Sequence, residues 1–535
     1  MRLLARSSTF WLSTVMYFLL SVSLNSQVNL PLDVSTSSTF YCGFEPQQVD
    51  PSKVSAPPAP NNMILGRSEC DVYNRAEQMF FWLTSPPTAY GGGSYVFTSS
   101  IFHTVSPRQN GRRLLLQQSG ANSAAGLFDI ALSQAGPNGI SVVFDKMGSP
   151  HDLRQPKWLL NDTGSKIEIQ RITSRPLTPF SPLFFDMDGN IIRYGKDAKM
   201  FDDAENLITP SLRRPVIFAN GVRYPQDVDG NAIDYRVDQA KTNKVLMTQK
   251  GKLVYYGILV NDVYANYYRS RPNNPPTEFP TEIDDVSRHL PDAETLAVAL
   301  KTAWIEVKDN ELKDYKQKYL TIAAEVPIYD RKSNYCWEFA KRTRPATLAL
   351  VGMHVTFAAQ NQPKMIWATF EHLDNTRNKS YQYDTDKATK SHEDNKGEWL
   401  FSKSWEENNG NYNVPRMHVN KNGNIVADGS RDECDKDVKY QKTIGPSNIR
   451  RDFAWGSENS RANTNLIRVN EGFIKQLPPG DVRRNYIMIG ATWSGNTTGG
   501  TKLANSTMET FVGDSQCLGC HYGTKLSHIW SDLSK

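Results

Sequence analysis

The sequence has no basic block. Its 61 Lys and Arg stand against 56 Asp and Glu, leaving a net charge of +5 spread along 535 residues. That balance excludes a nucleic-acid-binding tail and a polybasic membrane anchor. Neither a Gly-x-Ser-x-Gly elbow nor a phosphate-cradling glycine loop occurs, and no segment repeats, so these signatures of hydrolase and nucleotide chemistry are missing. Beyond the first two dozen residues no run is apolar enough to span a bilayer. Cysteine and histidine are scarce, at six and nine residues. What remains is a polar-surfaced, aromatic-rich globular chain with 39% hydrophobic and 11% aromatic residues, long enough for roughly three average domains.

The N terminus carries Arg2 and Arg6, then an uncharged apolar run over residues 10–20, then Ser21-Val22-Ser23, which places small residues where signal peptidase cleaves. Residues 1–23 therefore read as an export signal. The competing reading is an uncleaved anchor, but Ser13, Thr14, Ser21 and Ser23 dilute the run, which is shorter than the roughly 20 residues of a spanning helix. The mature protein is expected to be periplasmic or secreted, with no stable membrane span. Sequons begin at Asn161, Asn378, Asn496 and Asn505, about what chance gives in an Asn-rich chain.

Residues 24–66, with Pro51, Pro57, Pro58 and Pro60, read as an extended arm. Residues 75–83 (RAEQMFFWL) predict a helix stopped by Pro86-Pro87. Short β-type runs follow, and FFDMDGNIIRYG and VIFANGVRYP each place an Asp-Gly or Asn-Gly step between apolar runs, the strongest local hairpin signal. In LAVALKTAWIEV, Leu296, Val298, Leu300, Thr302 and Trp304 share a face; in YLTIAAEVPIY, Leu320, Ile322, Ala324 and Val326 do. With TLALVGMHVTFAA and KMIWATFEHL, joined by a turn at residues 360–363, four antiparallel strands are expected between 294 and 373. Residues 379–451 are polar and read as a surface insertion or lid. NTNLIRVNEGFIKQL predicts a helix, NYIMIGATWS a strand, and LANSTMETFV a short helix. The expected fold class is α+β, β-rich, with an antiparallel sheet body over 67–500 of one or two domains and a short C-terminal helical segment over 501–535.

The six cysteines are Cys42, Cys70, Cys336, Cys434, Cys517 and Cys520. In an exported chain they read first as up to three disulfides. The last two differ: they stand in Cys517-Leu518-Gly519-Cys520-His521, the attachment signature of a c-type haem. Two thiols add to two vinyl groups on one edge of the porphyrin, and the adjacent imidazole coordinates the iron. Cys517 and Cys520 would then be the thioether residues and His521 the proximal iron ligand. Random placement of this many Cys and His yields such a pentapeptide about once in a thousand chains. Two other chemistries remain open, a disulfide or thiol pair and a metal site; His528 is a further donor for the latter. If haem takes Cys517 and Cys520, the other four cysteines allow two disulfides in three connectivities. Pairing Cys42 with Cys70 closes a short loop, and Cys336 with Cys434 a long one.

The tail LANSTMETFVGDSQCLGCH, together with VGMHVTF, MIWATFEHLDN and RRNYIMIGATWS, resembles exported bacterial cytochrome c family proteins that have a large β-rich body and a C-terminal haem motif. The resemblance implies one covalent haem c at Cys517, Cys520 and His521, and no established reaction. Only fourteen residues follow His521, so upstream residues must cover the far side of the iron, or it stays open. His354 and His372, expected on one face of a hairpin about four residues apart in register, lie roughly 13 Å apart, too far for both to serve one iron on the same side. His354 is the preferred distal candidate; Met508 is the other option, and Met353 should face away. Glu371 and His372 are where proton-transfer groups would lie, or else form a strand-end polar pair. Trp304, Trp367, Trp493 and Trp530 line a ligand groove or an electron path, or else are core, the usual place of aromatics at alternating strand positions.

Three functions follow as expectations. The first is a monohaem electron-transfer protein working with a redox partner protein. The second is a haem-dependent oxidoreductase with substrate bound by the body. The third is a disulfide-stabilised extracellular binding module in which the pentapeptide is a coincidence.

Overall fold

The computed structural model describes most of residues 59–105, 243–403, 411–429, 443–495 and 502–511. It also describes parts of 30–43 and 521–533, Arg113, Val237, Cys434 and short strands between 115 and 223. The signal segment, Cys517, Cys520 and His528 lie outside the described residues.

The body is β-rich and its sheets are built mainly from antiparallel pairs. The largest has ten strands: β1 (Phe102–Val105), β2 (Leu115–Gln117), β3 (Val254–Asn261), β4 (Val298–Val307), β5 (Thr321–Arg331), β6 (Cys336–Ala359), β7 (Gln362–His372), β8 (Met417–Val419), β9 (Ile425–Ala427) and β10 (Tyr486–Thr492). Its main order is β2-β1-β3-β4-β6-β7-β10. The long β6 pairs with β4 along one edge; along the other it pairs with β7 and, through its first half, with β5. The four strands expected between 294 and 373 are β4 to β7. The two Gly-step hairpins also form, with Phe184 opposite Ile192 and Ala219 opposite Val222. The polar stretch 379–451 includes a hairpin of Tyr381–Asp384 with Thr389–His392, and β8 and β9, which join the large sheet.

Three helices of eight or more residues lie among the described residues: α1 (Glu69–Leu83), α2 (Asp262–Ser270) and α3 (Ser460–Gln476). α1 begins six residues before the expected start because Ser68 and Asp71 form a capping box. The Ser68 hydroxyl accepts from the Asp71 N–H at 3.1 Å, and the Asp71 carboxylate accepts from the Ser68 N–H at 2.8 Å. α1 and α3 cover one face of the sheet, where Phe80 stacks on Phe370 at 4.5 Å and packs edge-on to Phe473. Val298, Leu300, Trp304, Leu320, Ala324 and Val326 are buried in this core, as their alternation predicts. Asn470 of α3 completes the hydrogen bonding of β10, donating to the Met488 carbonyl at 2.9 Å and accepting its N–H at 2.7 Å.

Residues 505–511 are not helical, against expectation. Their polar groups bond to the sheet instead of to one another in helical register. The Asn505 amide donates to Thr369 Oγ1 at 2.8 Å and to the Phe370 carbonyl at 3.0 Å, and the Ser506 N–H donates to Glu371 Oε1 at 2.6 Å. Cys42 pairs with Cys70 and Cys336 with Cys434, their Cα atoms 5.2 and 5.5 Å apart. No described helix is long and apolar enough to cross a membrane.

Candidate functional site

The sheet face opposite α1 and α3 bears two apolar clusters. One comprises Val260, Ala297, Ala358 and Met365 with α2 residues Tyr264, Tyr267 and Tyr268. The other comprises Tyr256, Ala303, Ile305, Ala349 and Val351. Between them runs one polar row, because Lys301, His354 and Thr369 are successive cross-strand partners on β4, β6 and β7. A polar row across an otherwise apolar buried face is the local irregularity most suited to a ligand.

The C-terminal chain brackets this row. On one side Met508 is buried in the second cluster, the turn at Asn505 to Thr507 bonds to β7, and Tyr256 donates to the Thr507 carbonyl at 2.7 Å. Gly352 is needed there: a Cβ at this position would meet Thr507 Oγ1 at 2.2 Å and Asn505 Oδ1 at 3.0 Å. On the other side Leu526, Trp530 and Leu533 enter the first cluster. Trp530 is enclosed by Tyr264, Tyr267, Tyr268 and Phe279 at ring separations of 4.9–6.0 Å, and Tyr268 donates to the Leu533 carbonyl at 2.7 Å. The described residues before and after positions 512–520 therefore rest on one sheet face.

His521 lies on that face, its ring 4.1 Å from that of Trp367 on β7. Its Nδ1 is 3.3 Å from the Leu526 carbonyl. A carbonyl only accepts, so Nδ1 carries the proton and the lone pair of the neutral ring is on Nε2. Carbonyls that accept from the far ring nitrogen orient metal-ligating imidazoles in this way.

His354 shares this face. Its partner Thr369 is two residues from Trp367, so the His354 and Trp367 side chains are diagonal neighbours about 7–8 Å apart. The residue is half-buried, but its Nε2 is fully enclosed and has no hydrogen-bond partner among the described residues. Burial pushes the imidazole below its ordinary pKa; Glu509 pulls it up, Lys301 pulls it down and Glu371 pulls it up.

His372 does not share the face, a correction to the expected pair. His354 pairs with Thr369, three residues from His372, and an odd separation puts the two side chains on opposite faces. His372 stacks on Tyr319 at 3.7 Å, donates from Nε2 to the Lys318 carbonyl at 3.0 Å and accepts the Asp374 N–H at Nδ1 at 3.1 Å. Glu371 is equally committed: Arg451 Nη2 reaches it at 2.6 Å with both side chains buried, and the Ser506 hydroxyl bonds to it as well. The Glu371-His372 pair is structural. Met353 faces the α1 side, as expected. Among the described residues no three His, Cys, Asp or Glu side chains gather as a metal cluster.

One feature had no reading from sequence, and another had only a general one. The polar row arises only when separate strands align, so no local pattern signals it. The Trp530 anchor had a signal, an aromatic in the tail, but its pocket belongs to α2 and to Phe279. Asn378 and Asn505, both sequon positions, are buried with their side chains bonded inside the fold, and offer no acceptor for a glycan. No family model matches the chain, and neither a curated protein nor a solved structure matches it.

Proposed function

We propose that the chain is an exported monohaem c-type protein that transfers single electrons to a redox partner protein. In this reading Cys517 and Cys520 hold the haem by thioethers and His521 is the proximal ligand. The observation that carries it is the placement of His521. The chain rests on this sheet face at Asn505 to Thr507 and at Trp530, and the Leu526 carbonyl accepts from His521 Nδ1, which puts the neutral ring's lone pair on Nε2. The buried, unpartnered Nε2 of His354 on the same face fits a group that supplies an electrophilic centre.

Bound there, haem supplies a one-electron iron couple. In this reading Trp367, whose ring lies 4.1 Å from that of His521, would pack against the proximal imidazole. The four other cysteines are paired in the fold, which leaves Cys517 and Cys520 for the haem and agrees with an oxidising compartment.

The test is a haem stain on a denaturing gel of protein exported through a haem-attachment pathway, beside its Cys517→Ala/Cys520→Ala variant. Haem retained by the parent alone is the expected result. A parent that exports and folds without covalent haem sinks the reading and returns the two cysteines to a disulfide or a metal.

A further inference from the structure

We propose that the junction between α2 and residues 292–298 is a proton-locked clasp: while Asp292 is neutral the two segments stay tied through Asn261, and its ionisation lets them part with the sheet still folded. Asn261 ends β3 and is the hub of the junction. Its amide donates to Asp292 Oδ2 and to the Leu296 carbonyl, each at 2.8 Å. Its Oδ1 accepts the Tyr264 N–H of α2 at 3.1 Å and the Val298 N–H of β4 at 2.8 Å. One side chain therefore joins the start of α2, the turn at Asp292 and the start of β4.

Two features load this hub. Asp292 is wholly buried, and its Oδ1 is enclosed with no hydrogen-bond partner among the described residues. The titratable groups that act on it are Asp262, which opens α2 and meets His103 Nε2 at 2.7 Å, and the Tyr90 phenol, which accepts from Trp82 Nε1 at 3.2 Å. Neither carries a positive charge, so a carboxylate at Asp292 is both desolvated and opposed by a like charge. The second feature is backbone strain. Leu296 sits at φ 56°, ψ −161°, a region nearly reserved for glycine, and the Asn261 amide holds its carbonyl there. Parting the segments relieves both. A cleft lined by Val263 and Tyr267 of α2 and by Ala293, Leu296 and Ala297 runs along the junction and gives water a way in. α2 also presents Tyr264, Tyr267 and Tyr268 to Trp530, so the clasp bears on the hold of the C-terminal chain.

Acid closes the clasp. In the closed junction burial first, and then Asp262, pushes the Asp292 carboxyl up from 3.8 to about 8; once hydrated it returns to its ordinary value. The closed form thus holds the extra proton. Its advantage is complete below about pH 4, falls about tenfold per pH unit above that, and levels beyond about pH 8.

Hydrogen exchange of the full chain, corrected for the intrinsic rate, tests this. Protection over 262–270 and 293–298 should fall about tenfold per pH unit between about pH 6 and about pH 8, then level, staying at least about tenfold below that of β6. Asp292→Asn keeps an oxygen for the Asn261 amide and should remove the pH dependence. Asp262→Asn should move the levelling to lower pH, whereas a merely structural loss would lower protection equally at every pH. The proposal is overturned if protection at the junction does not change with pH in the parent, or if Asp292→Asn keeps the parental slope. It is equally overturned if Asp262→Asn leaves the levelling in place, or if the junction exchanges only together with β6.

Discussion

Glu371 and His372 are neighbours on β7 whose side chains point to opposite faces, and the two obey different electrostatics. Glu371 is sealed against Arg451 and Ser506. Glu371→Ala leaves the Arg451 guanidinium buried without its counter-ion and should cost about 3–5 kcal/mol, read as a lowered urea midpoint at unchanged slope. A loss under about 1 kcal/mol would mean that Asn378 and solvent replace the carboxylate. His372 is held neutral: burial lowers its pKa from the ordinary 6.5 to about 4. The unfolded chain therefore binds more protons than the native one between those two values. Stability from this site is complete above pH 6.5 and is lost as pH falls toward 4. His372→Gln should flatten that limb of the acid-unfolding curve; an unchanged limb would assign it to other groups. The sequence shows the adjacency of the two residues, and alternation separates their faces. It does not show Arg451, eighty positions away.

At the scale of elements, strands were easier to read than their boundaries. β6 begins at Cys336, eleven residues before its legible part at 347, because WEFAKRTRPA carries charges and Pro345. That half forms a partly exposed ribbon with β5, so no apolar alternation marks it. α2 had no reading at all, yet it holds the tail. Its N-cap is Asn261, which accepts the Tyr264 and Val298 N–H groups at 3.1 and 2.8 Å and donates to Asp292 at 2.8 Å. Burial first, then the nearby Asp262 charge, pushes the Asp292 carboxyl up from 3.8 to about 8. Here the native state binds the extra proton, so this site's contribution falls as pH rises from about 4 to about 8. Asp292→Asn should remove that decline, measured as a smaller drop in melting temperature between those pH values; an equal drop refutes it. Asn470→Ala tests the link between α3 and β10: two orphaned backbone groups should cost about 1–3 kcal/mol each, and hydrogen exchange at Met488 should accelerate.

For the whole molecule, the C-terminal chain is tied to the large sheet at two places. Trp530→Ala empties an aromatic pocket and should cost about 3–5 kcal/mol if the tail unfolds with the body. If the tail instead detaches alone, proteolysis after residue 511 should rise with the body's melting temperature unchanged; cleavage and melting both unaltered would refute the anchor. Gly352→Ala strikes the other anchor by forcing Thr507 off β6. Two cysteine pairs, a β-rich body and four central strands are all legible in the sequence, because each rests on local spacing or composition. The choice among three disulfide connectivities and the opposite faces of His354 and His372 were decided by tertiary structure, as was the polar row of Lys301, His354 and Thr369. Those depend on strand register and on contacts between residues far apart in the chain. A one-residue change of register would invert every face without altering any local pattern.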